Sequence, residues 1–159
     1  VTRLLTLCAD DYGQSAAIDR GILRLAAQGR LSQVSCLANG PAWAADARKL
    51  AKSGVRAGLH FNLTEGRPLS AALAALWPRM PELKTLIVLS HLGRLPLAAL
   101  REELQAQWQV FEQGLGRPPI HLDGHQHVHH LPQIRDLVLE QLAANPRFTV
   151  RHTGRLRGK

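Results

Sequence analysis

The sequence predicts an α/β fold centred on a parallel sheet. Two observations carry this. Short apolar runs alternate with longer stretches whose apolar residues recur at three- and four-residue intervals, and the strand-then-helix order repeats four times along the 159 residues. Proline and glycine stand at the joints, opening and closing helices instead of interrupting them. A chain of this length makes one domain, residues 1–159, with room for a substantial core. In such folds the side chains that do chemistry gather at the carboxyl ends of the strands.

Taken in order, RLLTLCA (3–9) reads as a buried first strand. From Ser15 to Gln28, Ile18, Ile22, Leu25 and Ala26 recur at helical spacing, and Gly29 is the stop. VSCLANG (34–40) reads as a second strand. Pro41 opens a helix carrying Trp43, Ala47, Leu50 and Ala51, with Gly54 just past its end. RAGLHFNLT (56–64) is a third strand. Residues 65–95, broken by prolines and glycines, form a long excursion in which IVLSHLG (87–93) fits either helix or strand. After Pro96, Leu97, Leu100, Leu104, Trp108 and Phe111 lay a helical stripe. IHLD (120–123) is a short strand, Pro132 starts a helix with Ile134, Leu137, Val138 and Leu142 on its buried face, and FTVRH (148–152) begins a fifth strand.

Composition excludes several classes. Apolar residues make up 45% of the chain, too many for a disordered segment, and no apolar run reaches membrane-spanning length. The start, VTRLLTLCADDYG, lacks the apolar core and cleavage site of a signal peptide, so the expected compartment is the cytoplasm, without membrane insertion. Cys8 and Cys36 lie in apolar runs and read as buried thiols, not as a disulfide framework. The net charge of +8 could suggest nucleic acid, but residues 147–159 hold five Lys/Arg and no acid, leaving +3 for everything before them. With no zinc-finger spacing, basic heptad or aromatic RNA-binding stretch, no nucleic-acid partner is expected. The absent initiator Met and the Arg/Gly/Lys ending raise the possibility of a piece of a longer polypeptide.

Three polar clusters fall at strand ends. Asp10 and Asp11 close the first strand, His60 sits in the third, and HLDGHQHVHH (121–130) follows the fourth. Each has an ordinary explanation by itself: a turn or cap, a satisfied core histidine, a solvated loop. In an extended segment His125, His127 and His129 would share a face, whereas in a helical turn His125 and His129 would. Together the clusters can face one pocket. Carboxylate and imidazole donors there form a set that leaves metal positions open for water and substrate. Spare carboxylates and imidazoles beside them suit hydrolytic proton transfer. A phosphate-binding glycine loop, a GxSxG elbow and an HExxH helix are absent, which points to a metal-activated water as the nucleophile.

ADDYG (9–13), GLHFNLTEGRPLS (58–70) and HLDGHQHVHHLPQI (121–134) resemble the YdjC-like carbohydrate deacetylases, a family with a hopanoid-biosynthesis branch, over residues 3 to about 151. The resemblance implies a (β/α) barrel-like fold, one divalent metal (usually Mg2+, with Zn2+ possible) and hydrolysis of an N-acetyl group from an amino sugar or chito-oligosaccharide. It implies Asp11, His60 and His125 as metal ligands and Asp10 as general base. His127 or His129 would then protonate the leaving amine or orient a ligand. Asn62 and Arg67 stand where sugar hydroxyls would be met, and read equally as a loop cap and a surface charge.

Two departures stand out. Gly124-His125-Gln126 replaces the family's usual Ser-His-His, and the chain stops before the family's last, His-containing motif. A full barrel takes roughly 250 residues, so an incomplete barrel is expected, its exposed edge open to homo-oligomer formation. The competing readings are a truncated relative that binds metal or sugar without turnover, and a metal-dependent hydrolase of another substrate class.

Overall fold

The computed structural model describes residues 5–145 and 148–152. Strands β1 (Cys8–Tyr12), β2 (Gln33–Cys36), β3 (Arg56–Phe61), β4 (His121–Gly124) and β5 (Thr149–Val150) form one parallel sheet in the order β1-β2-β3-β4-β5. Every crossover steps the same way. Right-handed crossovers without a reversal put the helices on one face and curl the sheet as in a barrel. The expected α/β, barrel-like parallel sheet is what the chain adopts, with five strands among the described residues.

The helices are α1 (Ala16–Ala27), α2 (Trp43–Ser53), α3 (Ala71–Leu76), α4 (Leu83–His91), α5 (Leu97–Leu115) and α6 (Ile134–Ala144). α1 begins where the Ser15 hydroxyl accepts from the Ile18 N–H, and α2 ends at Gly54, whose φ of 73° lets the chain turn off the helix. Val34, Cys36, Ala57, Leu59, Phe61 and Leu122 point to the helical face and join Leu50, Leu100, Leu104 and Phe111 in the core. Trp43 stacks on Phe111 (centroids 5.7 Å apart) and meets Tyr12 edge-on, and the Tyr12 hydroxyl donates to the Asp46 carbonyl at 2.8 Å. The tryptophan stripe residue is therefore core.

The other face of the sheet is polar. In-register neighbours share a face, and the rows Cys8–Gln33–Arg56, His60–Asp123 and His121–Thr149 line it. This face carries the site.

Several boundaries move. Among the described residues the first strand runs Cys8–Tyr12, because Gln33, its partner strand's first residue, lies opposite Cys8; Leu5 and Leu7 are left exposed, and residues 3 and 4 of the expected strand 3–9 lie outside the described residues. The third strand stops at Phe61, where the Asn62 side chain accepts from the Thr64 and Glu65 N–H groups and turns the chain. The excursion after it holds α3 and α4, so IVLSHLG is the end of a helix and the turn beyond it. α6 starts at Ile134, after Gln133 takes a left-handed φ of 65°. Most of the basic stretch 147–159 lies outside the described residues. Among those described, no helix is long and apolar enough to cross a membrane.

Candidate active site

β1 is irregular where its two carboxylates stand. Ala9 pairs with Val34 and Tyr12 with Cys36, so three steps on β1 match two on β2. The extra residue is a β-bulge, and Asp11 takes a left-handed φ of 68° in it. In a regular strand adjacent residues point to opposite faces. The bulge instead lets both act on the polar side: Asp10 meets Arg151, and Asp11 meets His60 and His125.

Asp11 Oδ1 lies 3.3 Å from His60 Nε2 and 2.9 Å from His125 Nδ1. One donor atom from each of the three residues lies within 4.8 Å of the others. The imidazoles stand edge-on with centroids 5.4 Å apart. Both histidines are buried, while a third of the Asp11 side chain is open. The far nitrogen of each ring faces a second carboxylate: His60 Nδ1 is 2.5 Å from Asp123 Oδ1, and His125 Nε2 is 3.1 Å from Glu65 Oε1.

Electrostatics follow these contacts. Hydrogen bonding from His60 holds the Asp11 carboxyl below its ordinary range against the effect of burial. Burial disfavours the charged His60 ring, yet its bonds to Asp11 and Asp123 outweigh this and push its pKa up to about 9. Burial would raise Asp123, but His60 and Arg151 bring it down.

Asp123 and Arg151 are the residues that sequence reasoning missed. Arg151 donates to both oxygens of Asp10, at 2.7 and 2.8 Å, and its Nε lies 2.9 Å from Asp123 Oδ2. Ser35 donates to Asp123 Oδ2 at 2.8 Å. A signal for Asp123 was present: it shares the fourth strand with His121, two residues away and therefore on the same face, and it directly precedes the turn to His125. Arg151 offered only its place at a strand end.

Cys8, His121 and Asp123 also bring donor atoms close together. The Ser35 hydroxyl sits among them, 3.3 Å from Cys8 Sγ, 2.9 Å from His121 Nε2 and 2.8 Å from Asp123 Oδ2. That hydroxyl fills the centre with hydrogen bonds, so we read this group as a polar brace under the site.

The histidine run follows neither expected pattern. Gln126 and His127 take left-handed φ values of 52° and 62° inside the 3-10 segment His125–His130. Only His125 reaches Asp11. His127 is exposed and its ring neighbours those of His129 and His130. His129 is buried, and its Nε2 donates to the Arg151 carbonyl at 3.1 Å. Burial, then the adjacent His130, lowers the His129 pKa to about 4. Lowered in this way, the ring favours its neutral form, and its bond braces the Arg151 backbone.

Asn62 is buried with every side-chain position used. Its oxygen accepts from Thr64 and Glu65 N–H groups, and its amide donates to Asn39 Oδ1 and the Glu65 carbonyl. It shapes the loop and has no group left to offer a sugar. Arg67 is exposed and lines a cavity of about 430 Å³ together with Gln14, Asn39, Asn62 and Glu65.

A curled parallel sheet with a carboxylate and two imidazoles converging beyond its strands defines an α/β protein of barrel type with a candidate metal centre. Its lineage is specific. The YdjC-like protein family profile matches residues 4–158, and the chain belongs to that family. It is 39% identical over 152 residues to a carbohydrate deacetylase of Mus musculus, covering 91% of this chain and 49% of that one. It is 40% identical over 139 residues to a chitooligosaccharide deacetylase of Serratia marcescens, covering 86% and 54%. The chain thus spans about half the length of these curated relatives. A crystal structure from Enterococcus faecalis, of a protein proposed to cleave cellobiose phosphate, has the same fold at a TM-score of 0.75 and 20% identity, over 96% of this chain and 59% of that one.

Proposed function

We propose that the chain carries the metal-holding catalytic region of a carbohydrate deacetylase, which hydrolyses the N-acetyl group of an amino sugar or chito-oligosaccharide. The observation that carries this reading is the convergence of Asp11, His60 and His125 in a member of a family whose curated relatives are named for deacetylation. The donor set fits a divalent cation: one carboxylate oxygen, two ring nitrogens, and a carboxylate behind each ring. A cation bound there would polarise the acetyl carbonyl and acidify water. Two imidazoles suit zinc better than magnesium, which prefers oxygen donors.

Asp10 is the base in this reading. Arg151 fixes both its oxygens, and His129 fixes Arg151 in turn. Asp10 takes a proton from the attacking water, the water oxygen bonds to the acetyl carbon, and the C–N bond breaks. The same carboxyl can return its proton to the departing amine. The exposed imidazole of His127 is another candidate among the described residues, and a His127→Gln variant that keeps full kcat would remove it from the step and favour Asp10. The cavity beside Glu65 and Arg67 is the place we assign to the sugar, with Arg67 as a hydroxyl donor and Asn62 holding its wall.

The test is acetate release from diacetylchitobiose by the chelated chain resupplied with Mg2+ or Zn2+, beside His125→Ala. Metal-dependent release abolished in the variant is the expected result. Stoichiometric metal binding without release would refute catalysis and leave the second reading, a chain that holds cation and sugar without turnover.

A further inference from the structure

We propose that Glu65 is a positioning residue that fixes the His125 ring for cation binding, as Asp123 does for His60. This rests on the reading of Asp11, His60 and His125 as a cation site. The two rings are used in opposite senses. His60 turns Nε2 toward Asp11 and Nδ1 toward Asp123, whereas His125 turns Nδ1 toward Asp11 and Nε2 toward Glu65. A histidine that binds a cation through one nitrogen carries its proton on the other, and the acceptor found there sets the tautomer and the ring's orientation. His125 Nε2 is buried with no aligned hydrogen bond among the described residues, and the Glu65 carboxylate is the acceptor group beside it, 3.1 Å away.

Glu65 is held for this task. Its N–H donates to Asn62 Oδ1 at 3.1 Å, its carbonyl accepts from Asn62 Nδ2 at 3.0 Å, and its Oε2 accepts from Gln14 at 3.2 Å. Asn62 is gripped in turn by Gln107 of α5, which accepts from its N–H at 3.1 Å and donates to its carbonyl at 2.7 Å. Buried Glu103 accepts from the same Gln107 amide at 2.8 Å. The saturation of Asn62 thereby acquires a purpose: it clasps both backbone groups of Glu65 so that the carboxylate stands over His125. Because the Glu65 side chain is 44% exposed, it can align with Nε2–H at little desolvation cost.

The experiment compares wild type with Glu65→Ala and Glu65→Gln by two readouts. Zinc affinity is measured by competition with a chromophoric chelator, and the His125 ring N–H of the zinc-loaded protein by nitrogen-edited NMR. We expect Glu65→Ala to weaken zinc binding roughly 10- to 100-fold and to lose the N–H signal to exchange with water. Glu65→Gln, which keeps a carbonyl acceptor, should recover the signal and part of the affinity. The melting temperature of the chelated proteins should be alike, which a merely structural role would not give. Wild-type zinc affinity and a retained N–H signal in Glu65→Ala would overturn the proposal alone. Failure of the wild type itself to bind zinc through His125, judged against His125→Ala, would overturn the cation-site reading and this proposal with it.

Discussion

Replacing Asp123 by Asn tests the hydrogen-bond logic of the site directly. Asp123 is fully buried, and its carboxylate is approached by His60 Nδ1 at 2.5 Å, Ser35 Oγ at 2.8 Å and Arg151 Nε at 2.9 Å. An amide keeps the size but loses the charge and one acceptor oxygen. If its oxygen stays toward Ser35 and Arg151, its NH2 faces His60 Nδ1. That nitrogen can then only accept, so the ring proton moves to Nε2, the atom turned to Asp11. If the amide flips, its NH2 confronts the Arg151 N–H and two donors meet without an acceptor. Either way one charge-assisted bond is lost, about 1.5–3 kcal/mol, and a buried donor or a charge is left unmatched, about 1–3 kcal/mol more.

We therefore expect Asp123→Asn to lose about 3 kcal/mol in urea unfolding of the chelated protein, at the lower edge of what breaking a buried ion pair costs. Zinc affinity should fall about 10- to 100-fold through the tautomer change. A double-mutant cycle with His60→Ala should return a coupling of at least about 1 kcal/mol. A stability loss under about 1 kcal/mol together with unchanged zinc affinity would refute the reasoning.

Two further outcomes follow from the 3-10 segment. A Cβ on Gly124 would lie 2.7 Å from the His129 backbone nitrogen, so Gly124→Ala or Gly124→Ser must shift that segment; we expect about 1–3 kcal/mol of lost stability in denaturant titration and a weakened His129–Arg151 tether. His129 adds a pH dependence of known sign. Its pKa is depressed to about 4 from an ordinary value of 6.5, so the native state binds fewer protons than the unfolded chain between those values. Its contribution is present above pH 6.5 and is lost as pH falls toward 4, amounting to at most about 3 kcal/mol. His129→Gln should flatten the fall in urea midpoint between pH 7 and pH 4.5 relative to wild type, and an unchanged slope would show that His129 is not buried neutral.

The order of strands and helices was legible because it rests on local signals: apolar period, the Ser15 cap, Pro41 and Gly54 at the joints. Position pointed only to the three polar clusters; the trio of Asp11, His60 and His125 was named from family likeness, and the fold brings those three side chains together. What escaped were consequences of backbone irregularity and long-range pairing. Strand alternation cannot foresee that a bulge turns Asp10 and Asp11 to work on the same side. Neither the extended nor the helical pattern foresees the left-handed pair Gln126 and His127, which separates His125 from the histidines after it. Arg151 became visible only when β5 paired with β4 and brought it over Asp10 and Asp123. Asn62 carried two readings, sugar contact or loop cap, because an asparagine after a strand looks the same in sequence whether its amide faces ligand or loop; its hydrogen bonds are those of the loop cap.

The origins of these groups separate two functions that family likeness joins. The donors of the candidate cation site come from β1, β3 and the turn after β4, and their supports come from β2, β4, the loop after β3 and the residue following β5. Donors and supports of the proposed site alike lie within the described residues, so zinc titration of this polypeptide alone is expected to show cation binding through His60 and His125. The proposed turnover asks for more, because a proton must reach the leaving amine and the sugar must be held beside the cation. A chain that binds zinc through both rings but releases no acetate would therefore locate the deficit in substrate holding or proton return, and Asp10, His127 and Arg67 are where that deficit would be sought.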